Sequence, residues 1–186
     1  TSDDKRVRGH CSMRPSIDLP AEISLAVAHY WKTRVAQEVR QGRGGRRDAG
    51  RRAAVTGGAQ MDGFAGLLKN VIVRAGVSDD CIFEGVRVEL PGFFRPTKEW
   101  DIVVVERGHL LVAIEMKSQV GPSFGNNFNN RTEEALGSAV DLWTAFRKGT
   151  IRAAVRPWLG YLFMLEDCTQ SRRPVSVNEP HFKVLP

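Results

Sequence analysis

Between Trp100 and Ser118 two apolar runs are separated by a short turn, and the second alternates so strictly that it ties the chain to a fold built around a β-hairpin. In that second run Leu110, Val112, Ile114 and Met116 take every other position. Successive strand side chains point to opposite faces, so these four make one wholly apolar face while Glu115 and Lys117 share the other. Residues opposite each other in an antiparallel pair project to the same side, so the parity of the turn decides which face Asp101 joins. A three-residue loop, Glu106-Arg107-Gly108 with glycine in the left-handed position, pairs Asp101 with Ala113 and makes Glu115 its diagonal neighbour. A two-residue loop would send Asp101 to the opposite face.

The elements around the hairpin follow from periodicity and punctuation. Ile23, Ala26, Val27, Tyr30, Trp31 and Val35 recur at helical spacing, predicting a helix over 19–41 that Gly42 stops. A second helix is expected over 59–75, with Phe64, Leu67, Leu68, Val71 and Ile72 on its buried stripe and Gly76 at its end. Residues 81–90 read as a first strand broken by Pro91-Gly92, ahead of strands over 100–106 and 110–118. The stretch 121–130 is too rich in Gly, Pro and Asn for regular structure and reads as a loop. Asn130 then caps a helix in which Leu136, Ala139, Val140, Trp143 and Phe146 form one apolar face, closed by Gly149. Residues 157–165 make a last, apolar strand. The order helix, three strands, helix, strand predicts an α/β sheet with helices packed against it. Trp143 and Trp158 are expected in the core.

A length of 186 residues suits one domain, read here as 19–186 after a poorly ordered segment at 1–18. Within it, 42–56 carries Arg43, Arg46, Arg47, Arg51 and Arg52 among glycines and reads as a flexible Arg/Gly-rich loop, either gripping phosphates through Arg46 and Arg47 or merely solvated. The absence of an initiator Met and the ending Lys183-Val184-Leu185-Pro186 suggest a chain that stops in mid-fold. No apolar run approaches the length of a membrane span, and the basic first residues lack the apolar core of a secretory signal, so no membrane partner and a cytoplasmic setting are expected. Cys11, Cys81 and Cys168 lie far apart without CxxC spacing, which argues against a disulfide frame or a thiolate zinc site. The net charge of +6 and pI near 9.6 favour an anionic partner.

Chemistry enters through the polar face of the hairpin. Hydrolysing a phosphodiester near neutral pH needs a cation to neutralise developing charge and a water made nucleophilic, which two carboxylates holding Mg²⁺ can supply. Asp101 and Glu115 are the expected ligands, joined by the backbone carbonyl of Met116. Lys117 would orient the water or stabilise charge on the pentavalent phosphorus. The bland alternative, that Glu115 and Lys117 are an ordinary exposed pair, fits most ExK tripeptides.

Glu99-Trp100-Asp101 followed by Glu115-Met116-Lys117 resembles the PD-(D/E)xK nuclease signature, with Trp100 where that superfamily often has proline. Longer runs, TGGAQMDGF (56–64), ELPGFFRPTKEWD (89–101), KSQVGPSFGNNFNNRTEEA (117–135) and LGYLFMLEDC (159–168), resemble the XhoI family of type II restriction endonucleases. The resemblance covers 54–186. It implies a restriction-endonuclease-like three-layer α/β/α core with a central mixed sheet, and double-stranded DNA bearing the palindrome CTCGAG as substrate, cut after the first C of each strand. It also implies a homodimer and a DNA methyltransferase of the same specificity that protects the host.

Further candidates surround this centre. Gln119, Asn126, Asn127, Asn129, Asn130 and Arg131 offer amides suited to adenine and a guanidinium suited to guanine; asparagines that merely tolerate turn geometry are the alternative. Asp62, beside Gln60 at the start of the second helix, and Glu89 are additional metal-ligand candidates, Asp62 being equally a first-turn carboxylate that suits the helix dipole. Arg95 and Lys98 could hold the phosphate. Two other functions share these residues: a repair or junction-cleaving nuclease of the same fold, and a DNA-binding protein without catalysis.

Overall fold

The computed structural model describes residues 17–43, 58–122, 124–174 and 177–184. Residues 1–16 of the N-terminal segment, and Arg46 and Arg47 of the Arg/Gly-rich loop, lie outside them. The chain forms two compact units, Thr1–Val77 and Ser78–Pro186.

In the first unit, α1 (Leu19–Arg43) starts where Asp18 accepts the Ala21 N–H at 3.1 Å, a carboxylate satisfying a donor that the first turn leaves open. A 3₁₀ turn (Ala59–Met61) leads into α2 (Asp62–Arg74). Ala26 and Tyr30 of α1 are buried, as are Phe64, Leu67 and Ile72 of α2. The two helices approach closely at Gly63, where a Cβ would lie 3.0 Å from His29 Cβ and 3.2 Å from the Ala26 backbone. A contact of 3.2 Å between His29 Nε2 and the Ala59 carbonyl ties the 3₁₀ turn to α1. The expected stripe is narrower than predicted, since Ile23, Val35 and Val71 are exposed.

The second unit is built on a four-stranded mixed sheet of order β1-β4-β5-β6. Its strands are β1 (Ile82–Glu84), β4 (Ile102–Glu106), β5 (His109–Gln119) and β6 (Trp158–Leu165). β1 and β5 run antiparallel to β4, whereas β6 runs parallel to β5. The long α3 (Gly125–Arg147) supplies the crossover that a parallel neighbour requires. Its Leu142 and Ala145 join Val88, Trp100, Val103, Leu110, Ala113 and Ile151 in a buried apolar cluster. Ile102, Val103 and Val104 are fully buried, so both faces of the central strand lie inside.

Four expectations are corrected. The single strand predicted over 81–90 is broken, because Gly85 and Arg87 both adopt left-handed backbone (φ 68° and 57°). After this turn β2 (Glu89–Pro91) leaves the main sheet and pairs with β3 (Thr97–Glu99) as a separate hairpin. The stretch 121–130 is not all loop. α3 begins at Gly125, so the asparagines occupy its first turns. Tertiary contacts outweigh their low helix propensity: Gln119 Nε2 donates to the Phe124 carbonyl at 2.6 Å, Tyr161 Oη donates to the Arg131 carbonyl at 3.2 Å, and Phe128 packs edge-on against Phe163. Trp158 is 59% exposed on the terminal strand of the sheet rather than in the core, and Trp143 is half-buried under the Arg156 guanidinium.

The fourth correction concerns the hairpin. Glu106 pairs with His109, so the turn holds two residues, Arg107 and Gly108, both left-handed (φ 49° and 77°) as a type I′ turn requires. A register shift between Val104 and Val105 then inserts one extra residue into β5, after which Ile102 faces Ile114. The bulge restores the parity that a two-residue turn alone would have lost. Continuing this register one step sets Asp101 against Glu115 itself, where the three-residue loop had set it against Ala113.

Candidate active site

Asp101 stands just ahead of β4, its backbone N–H donating to the Ile114 carbonyl at 2.9 Å. Its Oδ2 accepts the Met116 N–H at 2.5 Å. Burial pushes the Asp101 carboxyl above the usual carboxylate value; the Met116 N–H and the Lys117 and Lys98 ammoniums work against this, and the charge of Glu115 adds to it. A carboxyl whose proton affinity is raised partly by a neighbouring carboxylate marks the sort of paired site that a cation stabilises. Met116 takes part through its N–H.

Glu115 is buried in the middle of β5, 6% exposed, and both its oxygens carry ammonium groups. Oε1 is ion-paired with Lys117, and Oε2 with Lys98 at 2.6 Å. Lys98 also donates to the Glu99 carbonyl and lies over the Trp100 ring, 4.7 Å from its centroid. The structure thus gathers Asp101 with Glu115 and Lys117, the latter two by strand alternation and Asp101 by the two-residue turn and bulge, and adds Lys98 as a direct partner of Glu115. A buried charge left without such partners would be costly, so each ammonium offsets part of that cost.

Beside this cluster opens a cleft of about 510 Å³. Arg95, Lys98, Glu115 and Lys117 line one part of it, Arg131 and Glu134 of α3 another. Arg131 Nη1 holds Glu134 Oε2 at 2.5 Å, while its buried Nε has no hydrogen-bond partner among the described residues. Tyr161, opposite Glu115 in the parallel register, keeps its phenol proton: burial pushes the hydroxyl up, and Glu134 pushes it further.

The other predicted residues fall on different elements. Glu89 is exposed on β2, facing Glu99 across the small hairpin, and Asp62 is exposed on the first turn of α2 in the other unit. Gln119 is buried, its amide bonded to the Phe124 carbonyl, which makes it a brace for the start of α3. Asn127, Asn129 and Asn130 are exposed on that helix. Among the described residues no three His, Cys, Asp or Glu side chains converge as a metal cluster, so the acidic pair stands without a third carboxylate.

Sequence reasoning missed Asp141. It lies on α3, 3% exposed, and its Oδ1 accepts the N–H groups of Phe93 and Phe94, each at 2.8 Å, while its Oδ2 takes Arg95 Nε at 2.8 Å. Burial alone would push this carboxyl up. The two backbone donors and the Arg95 guanidinium outweigh it and hold the carboxyl below the usual range. A buried position on a helix otherwise patterned for apolar contact was the available signal, but its partners lie 46–48 residues away in sequence.

The comparisons with known proteins agree on one family. The model of restriction endonuclease XhoI matches residues 40–186. The type II restriction enzyme BstVI of Geobacillus stearothermophilus is 56% identical over 145 residues, covering 75% of this chain and 65% of the relative. The type II restriction enzyme XhoI of Xanthomonas vasicola is 43% identical over 164 residues, covering 87% of this chain and 65% of its own length. The type II restriction enzyme AbrI of Azospirillum brasilense is 43% identical over 159 residues, covering 85% and 71%. The chain thus spans about two thirds of the length of the curated relatives it matches. No solved structure matches it. With the matched region running through the acidic pair, the lysines and the cleft, the chain belongs to the XhoI restriction endonuclease family.

Proposed function

We propose that this chain is a type II restriction endonuclease that hydrolyses duplex DNA at a specific palindrome with Mg²⁺. The observation that carries the reading is the hairpin: turn and bulge together bring Asp101, Glu115 and Lys117 into one cluster at a cleft lined with Arg95, Lys98 and Arg131. The family membership and the relatives' names point the same way. The donor set fits the cation, because Mg²⁺ takes hard oxygen ligands and is commonly held by one or two carboxylates with water and phosphate completing its shell. Asp101 and Glu115 would hold it, with the Met116 carbonyl as a further candidate and Asp62 and Glu89 as additional ones. Bound there, Mg²⁺ supplies charge neutralisation at the phosphate and a water of lowered pKa.

The chain's own groups do the rest. Lys117, half-exposed beside Glu115, is the cation able to reach a phosphate oxygen or the attacking water from inside the cleft. Lys98 is more enclosed and holds Glu115 in position through Oε2, so it must yield or share that oxygen when the carboxylate takes a metal. The Met116 N–H orients Asp101. Arg95 and Arg131 would hold the flanking backbone, and Asn126, Asn127, Asn129 and Asn130, on the first turns of α3, are the proposed base readers with Gln119 behind them. Arg46 and Arg47 would add phosphate contacts. The finer reading includes a three-layer α/β/α core over a single nuclease domain, 19–186, the sequence CTCGAG, a homodimer on DNA, a protecting methyltransferase and a cytoplasmic site of action. Its test is plasmid DNA with Mg²⁺, beside a Glu115→Ala control, with the fragment ends sequenced. A discrete ladder with CTCGAG ends supports it. Structure-dependent nicks would instead indicate a junction or repair nuclease, and binding without cutting a non-catalytic protein.

A further inference from the structure

The tip of the β2–β3 hairpin is built in a way the hydrolytic cluster does not need. Phe93 and Phe94 sit side by side on it, 47% and 69% exposed, their rings edge to face with centroids 4.9 Å apart. Exposed apolar side chains also occur at Val86, Leu136 and Phe182, as on any protein surface. The tip differs in how firmly its backbone is held. Asp141, itself buried, accepts both phenylalanine N–H groups and the Arg95 guanidinium, and Gly92 donates to the Pro96 carbonyl at 3.3 Å. The loop closes so tightly that a Cβ on Gly92 would lie 2.6 Å from both the Arg95 carbonyl and Asp141 Oδ2. A loop held by this many hydrogen bonds presents two aromatic rings to solvent and leaves their apolar surface unburied.

The tip is also continuous with the active site. Arg95, whose Nε grips Asp141, lines the cleft with Lys98 and Lys117. Phe93 and Phe94 immediately precede Arg95 in the chain, which keeps them close to a duplex seated with a phosphate at those cations. The phosphate backbone gives a phenyl ring nothing to bind; the apolar surfaces a duplex offers are base faces and sugar edges, which aromatic wedges engage by partly unstacking a base step. We infer that Phe93 and Phe94 form a wedge that packs against bases beside the scissile phosphate, Phe94 leading and Phe93 bracing it. Asp141 is the positioning residue that aims them. This rests on the nuclease reading above.

The experiment uses the full chain, with the sequence cut by wild type read from plasmid fragments. Duplexes of that sequence then carry 2-aminopurine at successive positions within and beside the cut, and binding is followed in Ca²⁺. Wild type is expected to raise the fluorescence of one position adjacent to the cut. The double substitution Phe93→Ala/Phe94→Ala is expected to abolish that rise and slow cleavage at least tenfold, with an unchanged melting temperature because both rings are exposed. Cleavage within twofold of wild type with the fluorescence rise intact overturns the wedge and leaves the nuclease reading standing. A wild type that neither binds nor cuts any duplex overturns both. A change in the DNA-free oligomeric mass of the double variant, measured by light scattering, would assign the rings to a contact between copies of the chain and equally overturn the wedge.

Discussion

Replacing Asp141 with Ala measures what this buried carboxylate contributes to stability. The substitution deletes three hydrogen bonds of 2.8 Å from a side chain that is almost wholly buried. Hydrogen bonds to charged groups contribute about 1.5–3 kcal/mol each. The full sum overstates the loss, because Phe93, Phe94 and Arg95 are exposed enough to regain water once released. A net destabilisation of about 2–4 kcal/mol is expected, near the range for breaking a buried ion pair. The sign of the pH dependence follows from the lowered carboxyl. A group depressed on folding stabilises above its unfolded pKa, and that contribution is lost as pH falls through the folded value. The stability gap between wild type and Asp141→Ala, from urea titrations, should therefore be constant from pH 7 to about 5 and shrink below about pH 3.9. A gap under about 0.5 kcal/mol at pH 7 would refute the structural role. A gap undiminished near pH 3 would refute its electrostatic basis.

Other perturbations reach different elements. Asp101 is raised by burial, so its ionised form opposes folding at neutral pH; Asp101→Asn should melt no lower than wild type in chelator while losing at least about 100-fold in cleavage, and a marked drop in melting temperature would refute this. Gly92→Ala places a methyl group against the Arg95 carbonyl and Asp141, and should cost about 1–3 kcal/mol by chemical denaturation. Arg107→Asn puts Asn-Gly, the preferred pair, into the type I′ turn and should stabilise by about 0.5–1 kcal/mol; destabilisation would favour the longer loop instead. Ile102→Val, at a fully buried site in β4, should cost about 0.5–1.5 kcal/mol without altering the cleavage pattern.

The acids and Lys117 were legible because strand alternation is a period-two rule that needs only local sequence. The route to their meeting was not. Turn length was read from glycine placement, but the bulge after Val104 depends on how β4 and β5 pack and leaves no mark in residue type. The start of α3 was hidden for a related reason: Asn126 to Asn130 carry loop propensity, and what makes them helical is Gln119, Tyr161 and Phe163 reaching across from β5 and β6. Trp158 was assigned to the core by hydrophobicity alone, which cannot show that its strand ends the sheet. Lys98 and Asp141 were readable as residue types, but their roles rest on partners 17 and 46–48 residues away.

The one-residue bulge in β5 makes the hairpin a counter of chain length. Adding or deleting a single residue between Val104 and Val112 would rotate Asp101 away from Glu115 unless a compensating change occurred on the same hairpin. Homologous nucleases that keep the acidic pair should therefore differ here by nothing, or by even numbers of residues. An odd insertion should appear only where the bulge has been gained or lost with it.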